Sequence, residues 1–230
     1  MGIHRIHIDD PIVEGLYRVL GDEARHAVRV KRVNIGEGVE LLDGRGGVGV
    51  GVVEASVKVR GEWVLDVKVE TVKSLPRSRP RLEVCTALPK GAKLGDLIDG
   101  RAQVGAAVWR PLETAHGVRE EWRRERVESI AREASKQSGR AWLMEVGEGM
   151  KFEDAVRNSA VVIADAGGEK FDGAGDDLRL LIGPEGGWTE GEIALARMAG
   201  ARVCRFGVHT MRIETAAVVA AGVIMAGAFG

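Results

Sequence analysis

The sequence predicts an α/β protein in which a small β-rich domain precedes a larger domain built on a parallel sheet. Residues 1–72 contain alternating and β-branched runs interrupted by one short helical pattern. Residues 73–81 hold four basic residues, two prolines and no acid, which is the composition of a linker. From residue 82 to 230, short apolar runs alternate with helical patterns. That alternation predicts parallel strands covered by helices on both faces.

The composition limits the classes of function that the chain can serve. At 230 residues and 45% hydrophobic content, the chain can bury a sizeable core. Its 33 basic and 34 acidic residues nearly cancel, so any RNA binding must come from local patches.

Cys85 and Cys204 lack metal-ligand spacing and are expected to be buried small hydrophobic residues, so no metal site is predicted. We find no signal peptide or membrane-spanning run, and we expect a cytoplasmic protein.

The N-terminal segment is read as a set of strands with a hairpin. Two longer β-rich runs extend from Val48 to Val59 and from Trp63 to Val72. The glycine-rich stretch from Gly44 to Gly51 superficially resembles a nucleotide-binding loop. A strand and not a helix follows it, so the stretch predicts a hairpin.

One short helix is predicted inside this segment, with Asp22 as its cap. Arg25, Arg29 and Arg32 are spaced to share one face of it. The basic face has two interpretations, an ordinary solvated surface or a contact with RNA phosphates, and the sequence leaves both open.

A second group of polar residues stands at the end of a longer helix, predicted over residues 119–137. Gln137 is the last residue of this predicted helix, and Arg140 follows three residues later. They can cap the helix end or face a pocket, and the sequence does not decide between these roles.

The first of two glycine-bounded loops follows an apolar run over residues 178–182. The loop reads Gly-Pro-Glu-Gly-Gly over residues 183–187, and its glycines allow positive φ and close approach of a ligand to the main chain. Thr189 and Glu192 have the spacing of a capping box, which predicts a helix start. The loop is therefore expected between a strand end and a helix N-terminus.

The second loop repeats this plan, with a strand-like run from Val203 to Phe206 broken by Gly207. An apolar helix, predicted from Thr215 to Phe229, follows it. At about 15 residues it is shorter than the roughly 20 that span a bilayer, so we expect burial in the core or at a subunit interface. Considered alone, the first loop can also be interpreted as an ordinary turn. Arg212 and Glu214 can likewise be interpreted as a pair of charged residues on the surface.

The two loops at this spacing resemble those of a known family. The motif I-G-P-E-G-G with a T-x-x-E-I-x-x-A helix, then F-G-x-x-x-M-R-x-E-T-A, resembles the 16S ribosomal RNA (uracil-N3)-methyltransferase family of the SPOUT superfamily. Residues 133–140 match its E-A-x-x-Q-S-G-R motif, and His26, Arg32 and Gly36 match H-x-x-V-L-R-x-x-x-G, with Lys31 in place of the leucine. The resemblance implies a PUA-like RNA-binding β-barrel over 1–72 and a SPOUT domain with a deep trefoil knot over 82–230. It also implies a homodimer with the site at the subunit contact.

The resemblance further implies S-adenosylmethionine-dependent methylation of N3 of a uridine in 16S ribosomal RNA, in the decoding region near its 3′ end, with the small ribosomal subunit as partner. Arg212 would stabilise negative charge on the uracil ring and Glu214 would orient it. The expected cofactor-binding residues are Leu181, Ile182, Gly183, Pro184, Glu185, Gly187, Phe206, Gly207, Met211, Thr215 and Ala216. The expected RNA-binding residues are Arg25, Arg29, Arg32, Gln137 and Arg140.

Departures from the family pattern define an alternative function. Gly100 and Gln103 stand where the family often has Lys and Glu, and Val-His-Thr at residues 208–210 replaces the frequent Pro-Arg-Ile. His209 can be a base or an ordinary loop residue. The alternative is an RNA-binding or ribosome-assembly protein with the SPOUT fold and altered or lost turnover. A nucleotide-phosphate enzyme is disfavoured because no Lys-Ser/Thr follows either loop.

Overall fold

The computed structural model describes residues 3–118, 120–157, 160–173, 175 and 177–227. The chain divides into two compact units, one containing Met1–Arg77 and Ser135–Leu143, the other Ser78–Ala134 and Met144–Gly230. The predicted helix limits Arg119 and Phe229 lie outside the described residues.

The first unit is built on a five-stranded mixed sheet. Its elements are β1 (His4–His7), β2 (Gly15–Val19), α1 (Gly21–Arg29), β3 (Gly38–Leu42), β4 (Gly47–Val59) and β5 (Glu62–Ser74). The strand order is β1-β3-β4-β5-β2. The pair β1–β3 is parallel and the other pairs are antiparallel. Alternate residues of these strands, among them Ile6, Leu41 and Leu65, form its apolar core.

The glycine-rich stretch after residue 43 forms the predicted hairpin between β3 and β4. Oδ1 of Asp43 accepts hydrogen bonds from the backbone N–H groups of Arg45 at 2.7 Å and Gly47 at 2.8 Å. This side-chain bonding closes a turn, and the following residues pair as a strand. The prediction of a hairpin is confirmed.

The start of α1 differs from the prediction. Leu20 occupies the N-cap position without a side-chain cap, and Gly21 begins the helix with a φ of 64°. Asp22 therefore lies inside the first turn, where it pairs with Arg25 at 2.9 Å. The prediction that Asp22 caps the helix was wrong, because the turn at Gly21 starts the helix earlier.

The second unit alternates strands and helices. Its elements are β6 (Arg81–Thr86), a 3₁₀ turn (Gly91–Lys93), α2 (Leu94–Val104), β7 (Val108–Glu113), α3 (Arg124–Ser138), β8 (Glu145–Val146), β9 (Met150–Lys151), α4 (Phe152–Ala155), β10 (Val161–Lys170), β11 (Asp177–Ile182), α5 (Glu190–Met198), β12 (Arg202–Arg205) and α6 (Ile213–Ala226). The last residues of α3 group with the first unit. The sheet order is β12-β10-β11-β6-β7-β8, with β9 pairing β7, and every pair is parallel.

Helices cover both faces of this parallel sheet, as predicted. One apolar cluster joins strand residues such as Leu82 and Leu180 to α2, α3 and α6. A second joins Ile163 and Leu181 to α4 and α5 on the other face. Since the strands are parallel, the carboxyl ends of the neighbours β12, β10 and β11 meet at one edge of the sheet.

The connection between β5 and β6 lies at the predicted domain boundary. Strand β5 ends at Ser74 and β6 begins at Arg81, so residues 75–80 form the connection inside the predicted linker 73–81. Residues 135–143 group with the N-terminal unit, although the predicted boundaries assign them to the C-terminal domain.

Helix α6 packs closely along α2. A Cβ at Gly100 would lie 2.5 Å from Cγ2 of Val218, so glycine allows the two helices to approach. The helix buries Ala217, Ala220, Ala221 and Ile224, whereas Val223 is 42% exposed. The chain segments that the structure describes contain no helix long and apolar enough to cross a membrane.

Candidate functional site

A cavity of about 290 Å³ opens where β11 and β12 end and α6 begins, next to residues 164–166 in the middle of β10. It is lined by Ala164, Asp165, Ala166, Ile182, Gly183, Pro184, Glu185, Gly187, Trp188, Arg205, Phe206, Gly207, His209, Thr210, Met211, Ile213 and Ala216. The sheet thus contributes two loops, after β11 and β12, and one segment within the neighbouring strand β10. Crevices at the carboxyl ends of parallel strands are where open α/β sheets bind ligands.

The loop after β11 has the local structure that the sequence predicts. The N–H of Gly187 donates to the carbonyl oxygen of Pro184 at 2.9 Å, and Gly187 has a φ of 70°. Thr189 and Glu192 form a capping box, with Glu192 N–H donating to Thr189 Oγ1 at 3.1 Å and Thr189 N–H to Glu192 Oε2 at 2.8 Å. The prediction that α5 starts at this capping box is confirmed.

Trp188 fixes the first loop against the middle strand. Its Nε1–H donates to the carbonyl oxygen of Ala164 at 3.0 Å, and its ring lies 5.3 Å from that of Phe152. A Cβ at Gly183 would approach Cε2 of Trp188 to 2.8 Å. The neighbour that requires glycine at position 183 is therefore Trp188, whereas the sequence suggested a ligand.

The loop after β12 is held by apolar contacts. The ring of Phe206 stacks on that of Phe171 with centroids 5.1 Å apart, and a Cβ at Gly207 would lie 3.2 Å from Cε of Met211. Arg212 is the N-cap residue of α6, and its carbonyl oxygen accepts the N–H of Ala216 at 2.7 Å. Residues 206–211 therefore lead directly into the helix at the cavity.

The third segment at the cavity is a bulge within β10, and the sequence analysis did not indicate it. The pairing of β10 with β12 shifts register between Ala164 and Glu169, so residues 165–168 bulge from the sheet. Oδ1 of Asp165 accepts the N–H of Gly167 at 2.8 Å, and a Cβ at Gly168 would lie 2.6 Å from the carbonyl oxygen of Val203. The sequence Asp-Ala-Gly-Gly over residues 165–168 is typical of a turn and could have indicated this bulge.

The two predicted catalytic residues have different surroundings. Nζ of Lys93 lies 3.1 Å from Oε1 of Glu214, whereas among the described residues Arg212 acts on Glu214 only through its charge, without a hydrogen bond. Burial opposes ionisation of Glu214, but its own backbone N–H, Lys93 and nearby Arg212 keep its pKa below the ordinary value. Arg212 is exposed, and neither residue lines the cavity.

The cavity contains most of the residues expected to bind a cofactor. Leu181 and Thr215 are the two that do not line it. Leu181 points to the opposite face of the sheet, into the cluster with Cys85, because side chains alternate along a strand. Thr215 is exposed on α6. The residues that the sequence did not indicate are Ala164, Asp165, Ala166, Trp188, Arg205, Thr210 and Ile213. His209, which the sequence left as a base or an ordinary loop residue, also lines the cavity.

The basic residues near α1 are all exposed, but they do not share one helical face. Arg25 and Arg29 lie on α1, which ends at Arg29. Arg32 follows the helix with a φ of 55°, so the predicted helical alignment of all three was wrong. Their role in binding RNA stays a prediction.

Gln137 and Arg140 lie in the first unit. Gln137 is exposed, and its carbonyl oxygen accepts a hydrogen bond from Nη1 of Arg5 at 3.3 Å. Burial, together with the neighbouring Arg77, lowers the pKa of Arg140 to about 10. Arg140 N–H donates to the carbonyl oxygen of Ser135 at 3.0 Å, which continues the end of α3.

Both cysteines are free and buried, as predicted. Burial raises the pKa of the Cys85 thiol to about 12. Within the described ranges, no three or more His, Cys, Asp or Glu side chains converge as metal ligands would.

Comparison with known proteins agrees with this architecture. A family model described as an RNA methyltransferase domain matches residues 76–225, and one described as an RNA methyltransferase PUA domain matches residues 19–58. The ribosomal RNA small subunit methyltransferase E of Mycobacterium tuberculosis is 30% identical over 223 residues, covering 89% of this chain and 84% of that protein.

Two solved structures are similar over nearly the whole chain. A putative methyltransferase from Legionella pneumophila, in complex with the cofactor SAM, has a TM-score of 0.84 at 23% identity and 98% coverage of both chains. A probable rRNA-methyltransferase from Porphyromonas gingivalis has a TM-score of 0.82 at 27% identity and 95% coverage of both. The parallel sheet and the N-terminal mixed sheet are thus those of SPOUT methyltransferases with a PUA-like domain. The chain belongs to the ribosomal RNA small subunit methyltransferase E family, a family of RNA methyltransferases.

Proposed function

We propose that this protein is an S-adenosylmethionine-dependent methyltransferase that methylates N3 of a uridine in 16S ribosomal RNA, in the decoding region near its 3′ end. The observation that supports this most is the cavity at the ends of β11 and β12 and the bulge of β10. It joins both glycine-bounded loops on which the family resemblance rests. The named relatives act on ribosomal RNA of the small subunit, and one similar structure holds SAM.

The residues of the cavity fit this cofactor. Its apolar walls, which include Ile182, Phe206 and Ile213, suit a purine ring. Asp165 and Glu185 offer carboxylates to hydroxyl or ammonium groups. The space beside Gly187 is open, since a Cβ there would meet nothing within 4 Å. When bound, S-adenosylmethionine supplies the methyl group on a cationic sulfur.

Methylation of uracil N3 also requires removal of the proton that N3 carries. When that proton passes to water, negative charge is left on N3 and on the two carbonyl oxygens beside it. Arg212 is exposed at the start of α6, directly after a loop residue of the cavity, and its guanidinium has five N–H donors for such oxygens. We propose Arg212 as the group that stabilises this charge. Glu214, paired with Lys93, holds the first turn of α6 in position.

We propose that the two basic sets, one around α1 and one at the end of α3, contact RNA phosphates. Arg25, Arg29 and Arg32 are exposed, and Arg140 stands beside Arg77. With a net charge of −1, the chain has no overall attraction for RNA, so local sets of this kind have to supply it. A ribosomal RNA substrate and two free cysteines also support a cytoplasmic location.

The function is tested by methyl transfer from labelled cofactor to small-subunit particles isolated from a strain that lacks this gene. We expect label on the RNA, mapped to N3 of one uridine, and none on large-subunit particles. A folded protein that binds RNA without cofactor and transfers nothing would contradict the proposal and favour the assembly-protein alternative.

We also propose a homodimer formed through α6. After Glu214 this helix carries no charged residue, and Val223 exposes 42% of its surface although it is apolar. A helix with an uncovered apolar face is expected to dock against another surface. Sedimentation at micromolar concentration should show a dimer, and Val223→Glu should yield monomers. Met198→Glu, at an 86% exposed position of α5, is the matched control and should remain dimeric. A monomeric wild-type protein would contradict this.

A further inference from the structure

We infer that Asp165 binds the ribose hydroxyls of the adenosyl cofactor, an inference that rests on the proposed function. Asp165 lies in the bulge of β10, between the loops that follow β11 and β12, since β10 lies between these two strands in the sheet. The resemblance to the family indicated only the two outer loops.

The bulge of residues 165–168 presents this carboxylate in a fixed orientation. Oδ1 of Asp165 accepts the N–H of Gly167 at 2.8 Å, and the backbone at Gly168 lies close to β12, since a Cβ there would be 2.6 Å from the carbonyl oxygen of Val203. The hydrogen bond engages one carboxylate oxygen. No described residue donates a hydrogen bond to Oδ2, and Asp165 is only half-buried, so this oxygen is available to a ligand in the cavity.

The neighbours of Asp165 favour the ribose over the amino-acid end of the cofactor. The cavity wall beside it is apolar, formed by Ala164, Ile182 and Phe206 among others, and this wall suits the adenine. In an adenosyl group the ribose is bonded directly to the adenine, whereas the α-ammonium is several bonds further away. A carboxylate beside a purine-binding wall therefore lies nearer to the ribose hydroxyls than to the α-ammonium group. Acidic residues at strand ends of dinucleotide-binding α/β folds bind ribose hydroxyls in the same way.

The test is calorimetry on the full chain with three probes. S-Adenosylhomocysteine carries the ribose and the amino acid, 5′-methylthioadenosine lacks the amino acid, and the 2′,3′-dideoxy form of S-adenosylhomocysteine lacks the hydroxyls. Asp165→Asn keeps an oxygen that can accept from Gly167 N–H, and Asp165→Ala removes it. The matched control is Glu169→Gln, which removes one negative charge from an exposed position on the same strand, outside the cavity.

We expect both Asp165 variants to bind S-adenosylhomocysteine and 5′-methylthioadenosine at least about tenfold more weakly than the wild-type protein. The dideoxy probe should bind wild type and Asp165→Asn alike, because Asn keeps the acceptor for Gly167 N–H, and Glu169→Gln should match wild type on all three probes. If the Asp165 variants lose affinity only for S-adenosylhomocysteine, Asp165 binds the ammonium group, and the inference is overturned. If Asp165→Asn loses affinity equally for all three probes, the residue only shapes the bulge, and this result also overturns the inference. If the wild-type protein binds none of the probes, the proposed function itself fails.

Discussion

Nδ1 of His116 lies 3.1 Å from the carbonyl oxygen of Gly186, in the loop that follows β11. It also lies 3.2 Å from the carbonyl oxygen of Gly187. Carbonyl oxygens only accept, so Nδ1 carries the proton and donates. Next to it, the N–H of Ala115 donates to Oε1 of Glu192 at 3.0 Å. The turn after β7 thus holds the loop over residues 183–187, and His116 itself does not line the cavity.

The first prediction follows from this contact. His116→Ala should weaken binding of S-adenosylhomocysteine by roughly two- to tenfold, because one or two neutral hydrogen bonds no longer position the loop. His116→Asn should recover most of the affinity, since the Asn amide can donate from nearly the same place as Nδ1. Calorimetry on both variants measures this. Equal affinity of the alanine variant and the wild-type protein would show that the loop keeps its shape without His116.

The second prediction concerns a buried ion cluster in the second unit. Glu83 accepts from Nε of Arg110 at 2.5 Å and from Nε of Arg179 at 2.6 Å. Burial raises the pKa of Glu83, but the two guanidinium groups outweigh it and the pKa lies below its ordinary value. Glu83→Gln should lower the free energy of unfolding at pH 7 by about 3 kcal/mol or more, since it leaves two arginines without their carboxylate. Glu145→Gln, which removes a half-exposed partner of Arg81, should cost less than about 1 kcal/mol.

The pH dependence of this cluster has a definite sign. Because the folded-state pKa of Glu83 is depressed, its contribution is complete above the unfolded value of about 4.3 and disappears as the pH falls through the folded value. The difference in stability between wild type and Glu83→Gln should therefore shrink below about pH 4. Urea unfolding at several pH values measures it, and a difference that stays constant down to pH 3 would contradict the assignment.

The local features of the site could be predicted from the sequence, whereas the long-range ones could not. The loop around Gly187 and the capping box at Thr189 depend on residues within one turn of each other. The Asp-Ala-Gly-Gly composition signals a turn at Asp165, but the register shift of β10 against β12 at this turn depends on a distant strand and is not specified locally. The ion pair of Lys93 with Glu214 likewise joins segments far apart in the chain. Sequence reasoning therefore paired Glu214 with its near neighbour in the chain.

The third prediction concerns a charge in the core. Arg101 on α2 is completely buried, and its Nη1 donates to the carbonyl oxygen of Leu97. Nε and Nη2 have no hydrogen-bond partner among the described residues, and burial lowers the pKa of the guanidinium. Replacing an unpaired buried charge by an apolar chain of similar length should stabilise the fold by about 1–4 kcal/mol. Arg101→Met should therefore raise the melting temperature by about 2–4 °C per kcal/mol. Arg110→Met, which breaks the Glu83 cluster, is the control and should lower it.

The last prediction addresses the reaction itself and rests on the different surroundings of Arg212 and Glu214. If Arg212 stabilises charge on the uracil oxygens, it acts mainly in the transition state. Arg212→Ala should then lower turnover by roughly 10² or more, the scale of losing one preorganised donor. Affinity for S-adenosylhomocysteine should change little, because the Arg212 side chain does not line the cavity.

The competing account makes this arginine a structural support of α6. The structure provides a separate test of it, because the partner that supports Glu214 is Lys93, at 3.1 Å. Lys93→Met should lower the melting temperature and weaken cofactor binding modestly, while the folded fraction keeps most of its turnover. Measuring turnover, affinity and melting temperature on both variants separates the two roles. If Arg212→Ala resembles Lys93→Met in all three quantities, Arg212 is structural; a folded Arg212→Ala protein with normal turnover would remove it from the reaction.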